Sequence, residues 1–93
     1  MRAEDAARAR VVVSGRVQGV FFRDETRRRA RSLGVAGWVA NRRDGAVEAV
    51  FEGRRDAVES MVGWCGRGPS GARVDDVQTS WEGPRGEDGF AVR

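Results

Sequence analysis

Two short stretches carry the residues whose types and spacing could do chemistry. GRVQGVFFR, Gly15 to Arg23, places glycines at 15 and 19 and closes on an arginine. GVAGWVAN, Gly34 to Asn41, closes on an asparagine 18 residues after that arginine. Neither stretch contains an acid, a hydroxyl or a thiol, so neither supplies a nucleophile or a metal ligand. Their chemistry is binding. Consecutive backbone N–H groups in a glycine-hinged turn, next to the positive end of a helix, form a concave nest for a phosphate-like anion. Glycine permits the positive φ angles that such a nest needs. The planar fork of Arg23 can grip two oxygens of the same anion, which a lysine cannot.

The inventory of the whole chain narrows the field further. Histidine is absent and cysteine occurs once, at Cys65. That removes a histidine triad, an imidazole base, a Cys/His zinc site and any intramolecular disulfide. A cysteine-dependent phosphatase loop needs arginine six positions after its cysteine, where this chain has Gly71. Cys65 instead falls on the apolar stripe of a helix, as a small core residue. Asp75 and Asp76, adjacent on a strand, point to opposite faces, and Asp24 and Glu25 complement a helix dipole. No metal site and no cofactor is expected.

At 93 residues, 40% hydrophobic and 33% charged, the chain reads as one domain with a modest core. It has no apolar run long enough to span a membrane. Its first residues, MRAEDAARA, have no apolar core of a signal peptide, and Glu4 and Asp5 argue against a transit sequence. The reading is a disordered leader over residues 1–7 and a single domain over 8–93, cytoplasmic, with no need for more than a monomer. The 17 basic residues are all arginine, but 14 acids are interspersed and the net charge is +3. This balance does not predict a nucleic-acid surface, although a mild positive field favours a small anionic substrate.

The elements that must position the two motifs follow from pattern. RARVVVSGRV, residues 8–17, reads as a strand. FFRDETRRRARSL has Phe22, Thr26, Ala30 and Leu33 at helical spacing, with acids in the first turn, arginines in the last and Gly34 as C-terminal cap. VAGWVAN is a second strand. Asp44-Gly45 signals a tight hairpin, and AVEAVFE is a third strand with Val47, Ala49 and Phe51 on one face and Glu48, Val50 and Glu52 on the other. Ala57, Val58, Met61, Val62 and Cys65 form the stripe of a second helix. RVDDVQTSWE alternates Val77, Thr79 and Trp81, and FAVR is a short last strand. Two strand–helix–strand crossovers joined by a hairpin predict a ferredoxin-like βαββαβ α/β sandwich with an antiparallel sheet and both helices on one face.

In that fold the first two strands run parallel, so the 15–23 loop and Asn41 lie at the same sheet edge, where crevices form. Spacing alone leaves two readings of the loop open: an anion nest, or a tight strand-to-helix turn with a surface arginine. It matches neither the P-loop nor the dinucleotide fingerprint.

Taken together, GRVQGVFFR and GVAGWVAN resemble the motifs of the acylphosphatase family. The likeness extends through the Asp-Gly hairpin, VEAVFEG, WCGRGP and the closing FAVR. The resemblance implies hydrolysis of the carboxyl–phosphate bond of acyl phosphates. It implies that Arg23 and the backbone amides of Gln18, Gly19, Val20, Phe21 and Phe22 bind the phosphoryl group, and that Asn41 orients the attacking water. Of the side chains, Val20 and Phe22 are expected in the core and Phe21 at the mouth, against the acyl group. Gly15 is a conformational requirement, and Trp38 packs. The inventory suits this reaction. A carboxylate leaving group, with a pKa of about 4 to 5 in solution, departs without a general acid. A loose phosphoryl transition state needs positioning and charge stabilisation more than a strong base.

Two rivals belong to other classes. A non-hydrolytic module that binds acyl or carbamoyl phosphate, similar to the N-terminal part of larger hydrogenase-maturation proteins, would keep the same motifs. That the chain ends just after the domain favours a free-standing hydrolase. RNA-recognition domains share the strand–helix order, but they stack bases on exposed sheet aromatics. Strand three offers one inward Phe and the outward acids Glu48 and Glu52, which disfavours nucleic acid.

Overall fold

The computed structural model describes residues 5–93. Its elements are β1 (Ala6–Arg16), α1 (Phe22–Ser32), β2 (Ala36–Asn41), β3 (Val47–Arg54), α2 (Arg55–Cys65), β4 (Arg73–Glu82) and β5 (Phe90–Val92). The sheet order is β4-β1-β3-β2-β5. β1 is antiparallel to β3 and β4, and β2 is antiparallel to β3. This is the expected ferredoxin-like antiparallel core, to which β5 adds a short parallel edge beside β2.

Period-two patterning builds the core. Ala7, Ala9, Val11 and Val13 of β1 share a face with Val39, Val47, Ala49, Phe51 and Phe90. Both helices cover that face with Phe22, Ala30, Val58, Met61, Trp64 and Cys65. Phe22 meets Trp64 with ring centroids 5.3 Å apart, which anchors the first turn of α1 on α2. Thr26 is tolerated in the core because its hydroxyl donates to the Phe22 carbonyl at 2.6 Å.

Several expectations are corrected at their edges. Of the leader expected over residues 1–7, residues 1–4 lie outside the described residues, but Ala6 and Ala7 already belong to β1. They pair with Arg54 and Gly53, and Ala7 is 2% exposed. The length of the partner strand, rather than local composition, recruits them. Leu33 is 46% exposed instead of completing the helical stripe. α1 stops at Ser32, and Gly34, at φ +70°, reverses the chain in a Schellman turn. Val35 donates to the Ala30 carbonyl at 2.8 Å, Gly34 donates to that of Arg31 at 3.2 Å, and Val35 is buried in place of Leu33.

On α2, Trp64 is buried with Val58, Met61 and Cys65, while Ala57 and Val62 are half-buried. On β4, Thr79 and Trp81 share the helix-side face with Val77 but are exposed, because the strand is a sheet edge. The β1–β4 register shifts between Ser14 and Gly15, with Ser14 opposite Asp76 and Gly15 opposite Val74. This bulge lets both Val74 and Val77 pack on the core.

The second face of the sheet is not an open acidic surface. Val50 is buried, and Glu52, expected outward, is 8% exposed. Residues 83–88 cross this face, and Glu52 accepts the N–H groups of Arg85, Gly86 and Glu87 at 2.8, 2.7 and 3.0 Å.

Candidate active site

The site begins where β1 ends. A Cβ at Gly15 would lie 2.2 Å from the Arg73 carbonyl oxygen, so only glycine lets β1 close on β4 at the bulge. β1 continues through Arg16, and the loop proper runs from Val17 to Phe21. Gly19 has φ +75° with open space around it, so its requirement is conformational. Phe21, at φ 64° and ψ 25°, holds the left-handed region without being glycine. That conformation costs of order 1–2 kcal/mol for a residue with a Cβ. It turns the chain abruptly into α1 and leaves the Phe21 ring 78% exposed.

The main chain through this turn is rich in free donors. Among the described residues, none of the N–H groups from Gln18 to Phe22 donates to a protein acceptor. The first bond of α1 is Glu25 N–H to the Phe21 carbonyl at 3.0 Å, and no side chain caps the helix. Asp24 and Glu25 lie close by but are held by Arg27 and Arg28 at 3.1 Å each. The acids expected at the helix dipole are therefore neutralised locally.

Arg23, on the first turn of α1, and Asn41, the last residue of β2, line one pocket of about 370 Å³ with Gly19, Phe21, Phe22 and Val92. Arg23 Nη1 donates to the main-chain oxygen of Arg93 at 3.1 Å. Arg93 in turn donates its N–H to Val39 at 2.8 Å, so the end of β5 sets where the guanidinium rests. The Asn41 carboxamide makes no side-chain hydrogen bond among the described residues. It stands opposite Val47 where the β2–β3 hairpin opens. Gly45, at φ +94°, makes that turn, and Ala46 N–H bonds the Asp44 carboxylate at 3.0 Å.

Gln18 does more than contribute its amide. Its Nε2 donates to the carbonyls of Arg42 at 2.7 Å and Ala46 at 3.0 Å, tying the loop to the hairpin beside Asn41. Reading the sequence along the chain missed this role, as it missed the contact of Arg93 with Arg23. Val20 packs against the core by its side chain and Phe22 is buried, as expected. Trp38 packs under the guanidinium groups of Arg10 and Arg93, at 5.7 and 4.6 Å, away from the pocket. Cys65 is buried, and burial pushes its thiol up to about 12, which leaves it an inert core residue. Asp75 pairs with Arg73 on the surface. Among the described residues no three His, Cys, Asp or Glu side chains are arranged to hold a metal ion.

A small α/β sandwich whose first strand-to-helix turn presents free amides beside an arginine has the donors that an oxyanion would need. The chain itself belongs to the acylphosphatase family, a family of enzymes, whose sequence model matches residues 9–92. An acylphosphatase of Roseiflexus sp. (strain RS-1) is 60% identical over 89 residues, spanning 95% of this chain and 96% of the relative. The solved acylphosphatase of Coxiella burnetii superposes with a TM-score of 0.92 at 38% identity, covering 97% of this chain and 95% of that one. The Bacillus subtilis acylphosphatase gives 0.89 at 35% identity, covering 94% and 98%.

Proposed function

We infer that the chain hydrolyses the carboxyl–phosphate bond of acyl phosphates, using the pocket between the Val17–Phe22 turn and Asn41. The observation that carries this reading is the run of free backbone N–H groups from Gln18 to Phe22, of which Gly19, Phe21 and Phe22 line one pocket with Arg23 and Asn41. In this mechanism the amides and the Arg23 fork bind the phosphoryl oxygens and take up charge as it develops. The Asn41 carboxamide, with a donor and an acceptor to offer, holds a water in line with phosphorus. The water oxygen bonds to phosphorus as the bond to the acyl oxygen breaks. The carboxylate leaves with the electron pair, and a phosphoryl oxygen accepts the proton of the water. The products are a carboxylate and inorganic phosphate. The step calls on neither a histidine, a cysteine nor a metal.

In this reading the small acyl phosphate is the only partner, and the protein works as a monomer in the cytoplasm. No helix among the described residues is long and apolar enough to cross a membrane. The deciding experiment measures benzoyl phosphate hydrolysis with a chelator present, beside Asn41→Ala and a phosphate monoester. Chelator-resistant turnover of the acyl phosphate alone is expected. Asn41→Ala should lower it about a hundredfold or more while inhibition by phosphate persists. Full activity in Asn41→Ala removes the water-orienting role. Phosphate binding without any turnover moves the assignment to a binding module.

A further inference from the structure

We propose that the acyl group of the substrate lies in a second groove, on the side of the turn away from Asn41, and that Arg16 there favours acyl groups carrying a carboxylate of their own. The proposal rests on the acyl phosphate reading of the first pocket.

The sheet order sets the two sides. β1 lies between β4 and β3, and β2 lies beyond β3. The turn that follows β1 is thus flanked by Asn41 on one side and by the segment leading into β4 on the other. On that second side is a groove of about 700 Å³, lined by Arg16, Arg28 and residues 68–71. It shares Gly19, Phe21 and Asp24 with the first pocket, so the two hollows meet over the turn. In-line displacement puts the attacking and leaving oxygens on opposite sides of phosphorus. With the water on the Asn41 side, the leaving carboxylate departs over Gly19 and the exposed Phe21 ring into this groove. The groove is roomier than the first pocket and accepts more than an acetyl group.

Its charges give it a preference. Glu25 is held by Arg28 and Asp24 by Arg27, each at 3.1 Å. Arg29, also on the rim, lies over the Trp64 ring at 4.9 Å. Arg16 pairs with no carboxylate among the described residues. It is the guanidinium left for a second anionic group at the far end of the acyl chain.

The test compares kcat/KM for succinyl phosphate, whose acyl group bears a carboxylate, with kcat/KM for acetyl phosphate. Arg16→Ala should lower the succinyl value about three- to fivefold, the range for one exposed ion pair. Acetyl phosphate turnover and phosphate inhibition should stay unchanged. Ser70→Glu, on the exposed opposite wall, should lower the succinyl value in the same selective way. Added salt should shrink the difference between the substrates in the unsubstituted protein. An unchanged ratio in both variants, or an equal fall for both substrates, overturns the subsite and leaves the hydrolase reading standing. Failure of the unsubstituted protein to turn over acetyl phosphate overturns the hydrolase reading, and the subsite with it.

Discussion

Gln18 shows how one side chain can link two halves of a site without touching substrate. Its Nε2 reaches the carbonyls of Arg42 and Ala46, the two residues that bracket the hairpin turn after Asn41. Neither carbonyl is orphaned if the side chain is cut back. Arg42 still accepts from Gly45 at 3.2 Å, and Ala46 still accepts from Arg42 at 2.8 Å. Gln18→Ala should therefore cost only about 1 kcal/mol of stability, the net worth of ordinary hydrogen bonds. The turn would lose its fixed distance to Asn41, and misplacement of an attacking water is costly in rate. On benzoyl phosphate kcat should fall about tenfold, with the inhibition constant for phosphate nearly unmoved, since the turn amides remain. Parallel loss of turnover and phosphate affinity would show that Gln18 shapes the turn itself and not its register with the hairpin.

At the scale of elements, the two glycines of the first motif do different work, and stability measurements should separate them. A methyl at Gly15 meets the main chain of β4, with the Arg73 oxygen at 2.2 Å and the Asp75 nitrogen at 2.8 Å. Backbone cannot rotate out of the way as a side chain can. Gly15→Ala should open the β1–β4 bulge at a cost of about 3 kcal/mol, read as a lowered midpoint in urea unfolding. Gly19→Ala meets nothing within 4 Å and should cost only the left-handed backbone penalty, about 1 kcal/mol. Equal costs would mean that β4 yields at the bulge. The same contrast explains what was legible along the chain. Glycine hinges, the Gly34 cap, the Asp-Gly turn and the alternation of β1 and β3 are local signals, and they predicted the elements and the common edge of the loop and Asn41. Trp64, Trp81 and Glu52 were misjudged or passed over because their burial depends on other segments: the partner ring of Phe22, an uncovered sheet edge and the 83–88 loop. Leu33 was misjudged because the turn closed at Gly34 buries Val35 in its place. The acceptors of Gln18 lie 24 and 28 residues away and are main-chain atoms, which leave no residue-type signature.

Across the whole molecule, the two faces of the sheet are stabilised by different forces, and only one of them depends on pH. The helix-covered face is apolar. The other carries Arg8, 3% exposed, bonded to Glu52 at 3.1 Å and to Glu82 at 2.9 Å. Arg10 bridges Glu48 at 2.7 Å and Glu82 at 3.1 Å. This lattice joins β1, β3 and β4, and through Glu52 it fastens the 83–88 loop that leads into β5 and Arg93. Burial alone would raise the Glu52 carboxyl. The Arg85 N–H, the Arg8 guanidinium and the N–H groups of Glu87 and Gly86 outweigh it and hold the group below the ordinary glutamate value. Glu82 is lowered by its bonds to Arg8 and Arg10. In both cases the unfolded chain takes up protons at higher pH than the folded one. The stabilisation is therefore complete above the ordinary glutamate value of about 4.3 and is lost as pH falls through the lower folded values. Thermal midpoints should be flat near neutrality and decline below about pH 4.3. Glu52→Gln keeps the shape but puts an NH2 donor where one carboxylate oxygen accepts two N–H groups, and should cost about 3 kcal/mol at pH 7. That deficit against the parent should narrow steadily as the medium is acidified, because the parent loses the same charge. A deficit that stays constant from pH 7 down to about pH 3 would assign the role of Glu52 to packing and neutral hydrogen bonds, and leave acid sensitivity to the remaining carboxylates.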